Sequence, residues 1–283
     1  MGTGKYTIRT MSRSDLDMAI EWAAAEGWNP GASDASCFHA ADPNGFLIGY
    51  LDEAPVATLS AVRYGSSFGF VGLYIVKPGY RGKGFGRRIW DAGLAYLEGR
   101  TVGLDGVVAQ QAAYRSCGFS LAHRNIRYQG VGLGAGPLGS DVVPLSTLPF
   151  PVVSAYDKPF FPDDRTAFLK CWLTQPESAG FGVMRDGRLA GYGVVRSSQS
   201  GHKIGPLCAD NVMIAERLLT TLREQVATGT PIFLDVPELN AEAVTMAGRE
   251  RMNPVFETAR MYKGEPPTLP VQRIFGITSF ELG

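Results

Sequence analysis

Residues 68–90 read FGFVGLYIVKPGYRGKGFGRRIW, and the order of what they encode decides the fold. Residues 68–76 are almost wholly apolar and strand-forming, the pattern of a central strand buried on both faces. Within residues 87–97, Ile89, Trp90, Leu94 and Leu97 fall at helical spacing. Between strand and helix, Gly82, Gly84 and Gly86 alternate, so backbone N–H groups can turn inward with no side chain in the way. The start of the helix adds partial positive charge, and Arg81, Lys83, Arg87 and Arg88 surround it with full charges. The occupant this arrangement predicts is an anion such as a phosphate.

Phosphate loops of this strand–turn–helix kind differ in their details. A P-loop requires Ser or Thr after its lysine to hold magnesium, but Lys83 is followed by Gly84. A dinucleotide fingerprint requires Gly-x-Gly-x-x-Gly, whereas these glycines alternate strictly and lie well inside the domain. The pattern Arg-x-x-Gly-x-Gly at residues 81–86, after a strand and with Pro78 in the connecting turn, instead resembles the acyl-CoA signature of the GNAT superfamily of N-acyltransferases. A second match lies in AAYRSCGF at residues 112–119, where Tyr114 stands four residues before the Gly118-Phe119 pair, as in the last helix of that family. EGWNP at 26–30, RNIRY at 124–128 and KIGPL at 203–207 extend the resemblance along the whole chain, to a bacterial subgroup of tandem GNAT proteins.

The resemblance implies acetyl-CoA as co-substrate. Arg81, Gly82, Lys83, Gly84, Phe85, Gly86 and Arg87 would hold its pyrophosphate, and Leu73, Ile75 and Val76 would meet the pantetheine arm through the strand backbone. Tyr114 would protonate the thiolate that departs when an amine attacks the thioester; the plainer alternative is a core tyrosine whose hydroxyl merely finds a partner. The chain departs from the family in two places. Gln110 and Gln111 stand where many members carry an Asn, and the strand at 68–76 lacks the glutamate that many relatives place there. A water chain, Glu26 or Asp105 is then left to deprotonate or anchor the amine, the two acids being otherwise a cap or a solvated surface group. Trp28 is a candidate apolar wall for the acceptor, or else a core residue.

The remaining pattern reads as an α/β chain (in the α+β sense) of two GNAT-like domains, each a mixed, mostly antiparallel sheet flanked by helices. In the first half a strand at 6–9, a helix at 14–26 entered through Ser14 or Asp15, and a hairpin of 45–51 and 54–64 precede the central strand. The second half repeats the plan: a hairpin at 181–184 and 189–196, a strand at 203–208, a helix at 212–226, a strand at 231–236 and a helix at 241–251. Both hairpins end in Val-Arg, and each half closes on a strand reaching Tyr128 or Tyr262. The Gly- and Pro-rich segment 130–151 suits a connection, or in part a strand or loop docked on a domain, and the domains are expected at 1–137 and 138–283. Where the first half has its glycine turn, the second has Leu207-Cys208-Ala209-Asp210-Asn211, with an acid as helix cap. That charge opposes a pyrophosphate, so the second domain is expected not to bind CoA but to cover or complete the acceptor cleft.

Composition narrows the partners. Lys plus Arg number 27 against 27 Asp plus Glu among 283 residues, so no global positive field favours nucleic acid. No apolar run long enough to cross a bilayer and no leader is evident, which predicts a cytoplasmic protein without a membrane partner. Four scattered cysteines and three histidines point to no metal site. The expected reaction is direct transfer of an acetyl group to a primary amine of a small molecule. A CoA-binding sensor without turnover, and acetylation of a protein lysine or N-terminus, remain the competing readings.

Overall fold

A computed structural model describes residues 4–283. The first half runs β1 (Tyr6–Thr10), α1 (Arg13–Ala25), α2 (Asp34–Ala41), β2 (Phe46–Leu51), β3 (Ala54–Tyr64), β4 (Phe68–Val76), α3 (Phe85–Tyr96), β5 (Thr101–Val107), α4 (Gln111–Ser116) and β6 (Ser120–Val131). The second runs β7 (Val142–Pro144), α5 (Phe150–Asp157), α6 (Thr166–Trp172), β8 (Ser178–Arg185), β9 (Arg188–Ser198), β10 (Gly201–Ala209), α7 (Val212–Glu224), β11 (Pro231–Pro237), α8 (Ala241–Arg249), β12 (Asn253–Lys263) and β13 (Ile274–Gly276). The helix of residues 14–26 begins one residue earlier than its pattern suggests. Its cap is Ser12, whose hydroxyl accepts from the Asp15 N–H while the Asp15 carboxylate accepts from the Ser12 N–H. Likewise α7 is capped by Asn211 rather than Asp210. The segment after β6 docks along the second half, its Leu133 and Gly134 amides donating to Arg223 and Val226 carbonyls, before β7 joins β8.

One sheet carries both halves, in the order β1-β2-β3-β4-β5-β12-β6-β11-β10-β9-β8-β7, with β13 on β10. The closing strands are exchanged: β12 of the second half pairs with β5 of the first, β6 of the first with β11 of the second, and β6 and β12 pair with each other between them. A matching pair of buried cross-strand ion pairs marks the exchange. Arg127 on β6 faces Asp235 on β11 and grips it through Nε and Nη2 at 2.6 and 2.8 Å; Arg260 on β12 grips Asp105 on β5 through the same two nitrogens at 2.8 and 2.6 Å. A bidentate pair of this kind tolerates no register slip, because a one-residue shift of one strand carries its partner of the pair to the opposite face of the sheet.

Two of the three apolar clusters lie on one face of the sheet, α3 over β3–β5 with Ala259 and Met261 of the exchanged β12, and α7 with α8 over β8–β11 with Tyr128 of the exchanged β6. The third is shared. α1 and α2 of the first half pack there against α5 and α6 of the second, with Phe38 stacked on Trp172 at a centroid distance of 6.4 Å and the buried Arg196–Asp34 pair beside them. Cys37 of α2 and Cys171 of α6 also meet in this layer, and burial pushes the Cys37 thiol well up.

Candidate active site

β4 and β5 run parallel and bonded only from Phe68/Thr101 to Val71/Leu104, after which they diverge. A bulge follows at once on the other edge of β4, where the register to β3 shifts between Thr58 and Ser60 and Leu73 takes φ 45°. The Thr58 hydroxyl donates to the Leu73 carbonyl at 2.8 Å and holds this irregular backbone in place. From here on, the β5-facing edge of β4 has no strand partner among the described residues, so its backbone groups, apart from the Val76 carbonyl that Arg81 bonds, are open to an extended ligand.

At the end of β4 the chain enters the glycine turn. Gly82 and Gly84 take φ 73° and 84°, and a Cβ on either would meet nothing within 4 Å, so they are glycines for conformation and for the open space above them. Gly84 stands at the N-cap of α3 without a side-chain cap, leaving the first-turn amides of α3 directed outward. Gly86 is glycine for a different reason: its Cβ would lie 2.6 Å from the Tyr74 hydroxyl and 3.0 Å from Val76, because the start of α3 rests directly on β4.

A groove of about 790 Å³ runs from this turn to α4. Arg81, Gly82, Gly84, Gly86 and Arg87 line it, as do Ile75, Val76, Glu26, Trp28 and Tyr114. The Arg81 guanidinium bonds the Val76 carbonyl at 2.8 Å and pairs with Glu26, so Glu26 ties the end of α1 to the turn. Lys83 and Phe85 do not line the groove: the Lys83 ammonium folds back onto the Gly79 carbonyl at 2.8 Å, and Phe85 stacks on Tyr6 at 4.8 Å.

Tyr114 occupies the inner end. Its ring stacks on Trp90 at 5.6 Å and lies against Gly106, where a Cβ would come within 2.3 Å of it. Burial, with the neighbouring Tyr74 hydroxyl, pushes the Tyr114 phenol up to about 12, so it stays protonated throughout the neutral range. Gln110 lines the groove and Gln111 is buried at the first turn of α4, where a 3-10 turn of residues 108–110 takes the chain into the helix.

Behind Tyr114 lies a smaller cavity of about 50 Å³ at the point of strand divergence, walled by Leu73, Tyr74, Trp28, Trp90 and residues 104–107. Asp105 is among them, but both its oxygens are held by Arg260, and Asn125 donates to one at 2.8 Å. The second half supplies the rest of the wall: Phe256 and Thr258 from β12, and Phe280 and Glu281 from the closing segment, residues 274–283. Neither β12 nor Glu281 could be assigned to this site from sequence spacing, since both reach it only through the exchange of strands and the path of that segment.

The family models agree with this architecture. That of the acetyltransferase (GNAT) family matches residues 14–119, and that of an acetyltransferase (GNAT) domain matches residues 153–276. Holothin acyltransferase of Pseudoalteromonas sp. (strain SANK 73390) is 30% identical over 278 residues, spanning 98% of this chain and 95% of that protein. Among solved structures, a putative acetyltransferase from Pyrococcus horikoshii shares the fold over 100% of this chain and 97% of its own, with a TM-score of 0.84 at 24% identity. A tandem GNAT protein from the clavulanic acid biosynthesis pathway shares it over 93% and 100%, with a TM-score of 0.63 at 14% identity. This chain belongs to the GNAT acetyltransferase family, as an acyltransferase with two such domains in tandem.

Proposed function

We propose that the protein transfers an acetyl group from acetyl-CoA to a primary amine of a small molecule by direct attack. The observation that carries this reading is the continuity of the groove from an uncapped helix start, past an unpaired strand edge, to a protonated phenol. The amides of Gly84, Phe85 and Gly86 with Arg81 and Arg87 would take the pyrophosphate, the free edge of β4 at Ile75 and Val76 the pantetheine, and Leu73 the inner end beside the thioester. The thioester supplies an acyl carbonyl open to attack. Tyr114 would donate its proton toward the departing sulfur, with Trp90 and Gly106 fixing the direction of its ring.

A small acceptor is favoured over a protein by the inner cavity, which is narrow and partly walled by the closing segment. Residues 1–137 would carry the CoA site, and residues 138–283 would contribute acceptor contacts without binding CoA. The experiment is thiol release from acetyl-CoA with a panel of small primary amines, alongside calorimetric titration with CoA. Tight CoA binding with no thiol released for any amine would leave a sensor; acetylation seen only by intact mass on protein acceptors would replace the small molecule with a polypeptide.

A further inference from the structure

The inner cavity contains a group that the reading above does not use. Glu281 is 2% exposed, lines the cavity, and has no hydrogen-bond partner for either carboxylate oxygen among the described residues. A buried carboxylate with no donor is costly, and such a group persists where a ligand supplies the missing partner. Thr258 Oγ1 and Trp90 Nε1, on the same cavity wall, are also buried without partners.

The placement of Glu281 is enforced by its surroundings. Its carbonyl oxygen lies 2.1 Å from where a Cβ on Gly72 would stand, so this position of β4 must be glycine for the closing segment to run against the strand. Around it, the Leu282 amide donates to Ser279 Oγ at 3.1 Å, the Leu282 carbonyl accepts from the Tyr64 hydroxyl at 3.2 Å, and the Ile277 amide donates to the Asp235 carbonyl at 2.9 Å. The charged groups around the carboxylate are Lys203 of β10 and Arg127 of β6, with Asp105 across the cavity. Arg127 is matched to Asp235, and Asp105 to Arg260, leaving Glu281 as the carboxylate of the cavity without a bonded cation.

β4 brings residues 71–74 to this cavity and no acid among them. We propose that Glu281, delivered by the closing segment rather than by the strand, is the carboxylate that binds the acceptor's amino group and takes its proton. This rests on the acyl-transfer reading above. As the amine nitrogen bonds to the acyl carbon, one N–H proton passes to Glu281; as the C–S bond breaks, the departing thiolate accepts a hydrogen bond from Tyr114 and takes a proton from solvent, to which Glu281 returns the one it gained. Lys203 offers a competing explanation, in which Glu281 is only its counter-charge, since the Lys203 ammonium is also buried without a hydrogen bond.

The test compares wild type, Glu281→Gln, Glu281→Asp and the double variant Glu281→Gln/Lys203→Met in thiol release from acetyl-CoA with the amine panel. Glu281→Gln is expected to lose about 10²-fold or more in kcat/KM for the amine, with the KM for acetyl-CoA unchanged and the residual rate climbing with pH as free amine accumulates. Glu281→Asp recovers part of the rate, and the double variant stays as slow as Glu281→Gln. Should Glu281→Gln fail to fold, Glu281→Asp carries the comparison, a reduced kcat in a folded protein supporting the assignment and an unchanged one removing it. A wild-type rate in Glu281→Gln, or recovery in the double variant, overturns the proposal while leaving acyl transfer intact. A wild type that releases no thiol with any amine of the panel overturns acyl transfer to small amines and this proposal with it.

Discussion

The two halves of the sheet open in the same way and are filled differently. In the first, β4 and β5 part after Val71 and Leu104 and leave a groove. In the second, β10 and β11 part after Ile204 and Leu234, again beside a register shift to the preceding strand, but β13 enters the gap and pairs with Leu207 and Cys208. A Cβ on Gly205 there would strike the Ile277 and Thr278 carbonyls at 2.4 and 2.7 Å, so the strand edge is already occupied by the chain itself. Asp210, where the first half has its glycine turn, pairs with Arg273 and accepts from the Tyr156 hydroxyl at 2.8 Å. The same closing segment that fills the second gap goes on to bring Glu281 to the first. Among the described residues the second gap is thus filled by the chain itself, and the continuation of the segment that fills it walls the inner cavity of the first half.

The sharpest way to break that contrast is at the helix starts. Gly84→Asp puts a negative side chain into the open space over the α3 amides and should abolish CoA binding in calorimetric titration, while Gly84→Ala, which bears only the strain of φ 84°, should cost about 1 kcal/mol of stability and retain measurable binding. The reverse change, Asp210→Gly, should create no CoA site, because β13 still fills the gap. Binding gained at the second half by that variant would mean that the charge of Asp210, and not the filled strand edge, is what opposes CoA there.

The ion pairs of the exchanged strands test whether the halves are held alike. Asp105→Asn and Asp235→Asn each leave a buried guanidinium uncompensated and should each cost roughly 3–5 kcal/mol in denaturant unfolding. The double change Asp105→Leu/Arg260→Met should recover much of the loss. If Asp105→Asn instead retains stability and loses turnover, Asp105 acts on the acceptor and not on the strand exchange.

Tyr114→Phe removes the hydroxyl and keeps the ring between Trp90 and Gly106. A phenol near 12 facing a thiol of ordinary pKa near ~8.5 would give up its proton uphill by roughly three units, so its main contribution is a hydrogen bond to the charged sulfur. Such a bond is worth about 1.5–3 kcal/mol, which predicts a fall in kcat of about 10- to 10²-fold with acetyl-CoA affinity unchanged. A wild-type kcat would make Tyr114 a packing residue.

Much of this was legible in the sequence because it is local. The buried run of β4, the alternating glycines and the helical spacing of α3 are each written in a single window, and the second half repeats the strand and helix patterns, though not the glycines, closely enough for most of its strands to be placed. Five elements were not placed: α2, α5, α6, β13, and β7, which lies in the segment read as a connection. α2, α5 and α6 are short and lie in the layer shared by both halves, so their apolar residues show no one-sided stripe. β13 has three residues and exists only because a gap is there to fill. The exchange of β6 and β12 leaves no local trace either, since strand order depends on partners more than a hundred residues away. Glu281 is one acid in SFELG, and nothing in that window distinguishes it from a surface residue; its orphaned oxygens are visible only in three dimensions.

The halves differ once more, and with a smaller effect, at the centre of the sheet. On β6 and β12 the two arginines of the exchanged pairs face different cross-strand neighbours: Arg127 faces Phe256, and Arg260 faces His123. Phe256 cannot titrate, whereas burial and the charge of Arg260 push His123 down to about 4. The folded state therefore keeps His123 neutral over a range in which the unfolded chain, near ~6.5, already binds a proton. Between those two values the unfolded state holds more protons, so stability must rise with pH; read downward, it falls as the pH drops from about 6.5 toward 4. His123→Phe, which makes the first half match the second, removes that titration and should flatten this part of the acid limb in melting temperature against pH, leaving the steeper loss at lower pH where the depressed carboxylates of Asp15 and Asp235 take up protons. An acid limb identical to that of the wild type would mean that His123 is already protonated in the folded sheet, and that Arg260, locked to Asp105, exerts too little field to keep it neutral.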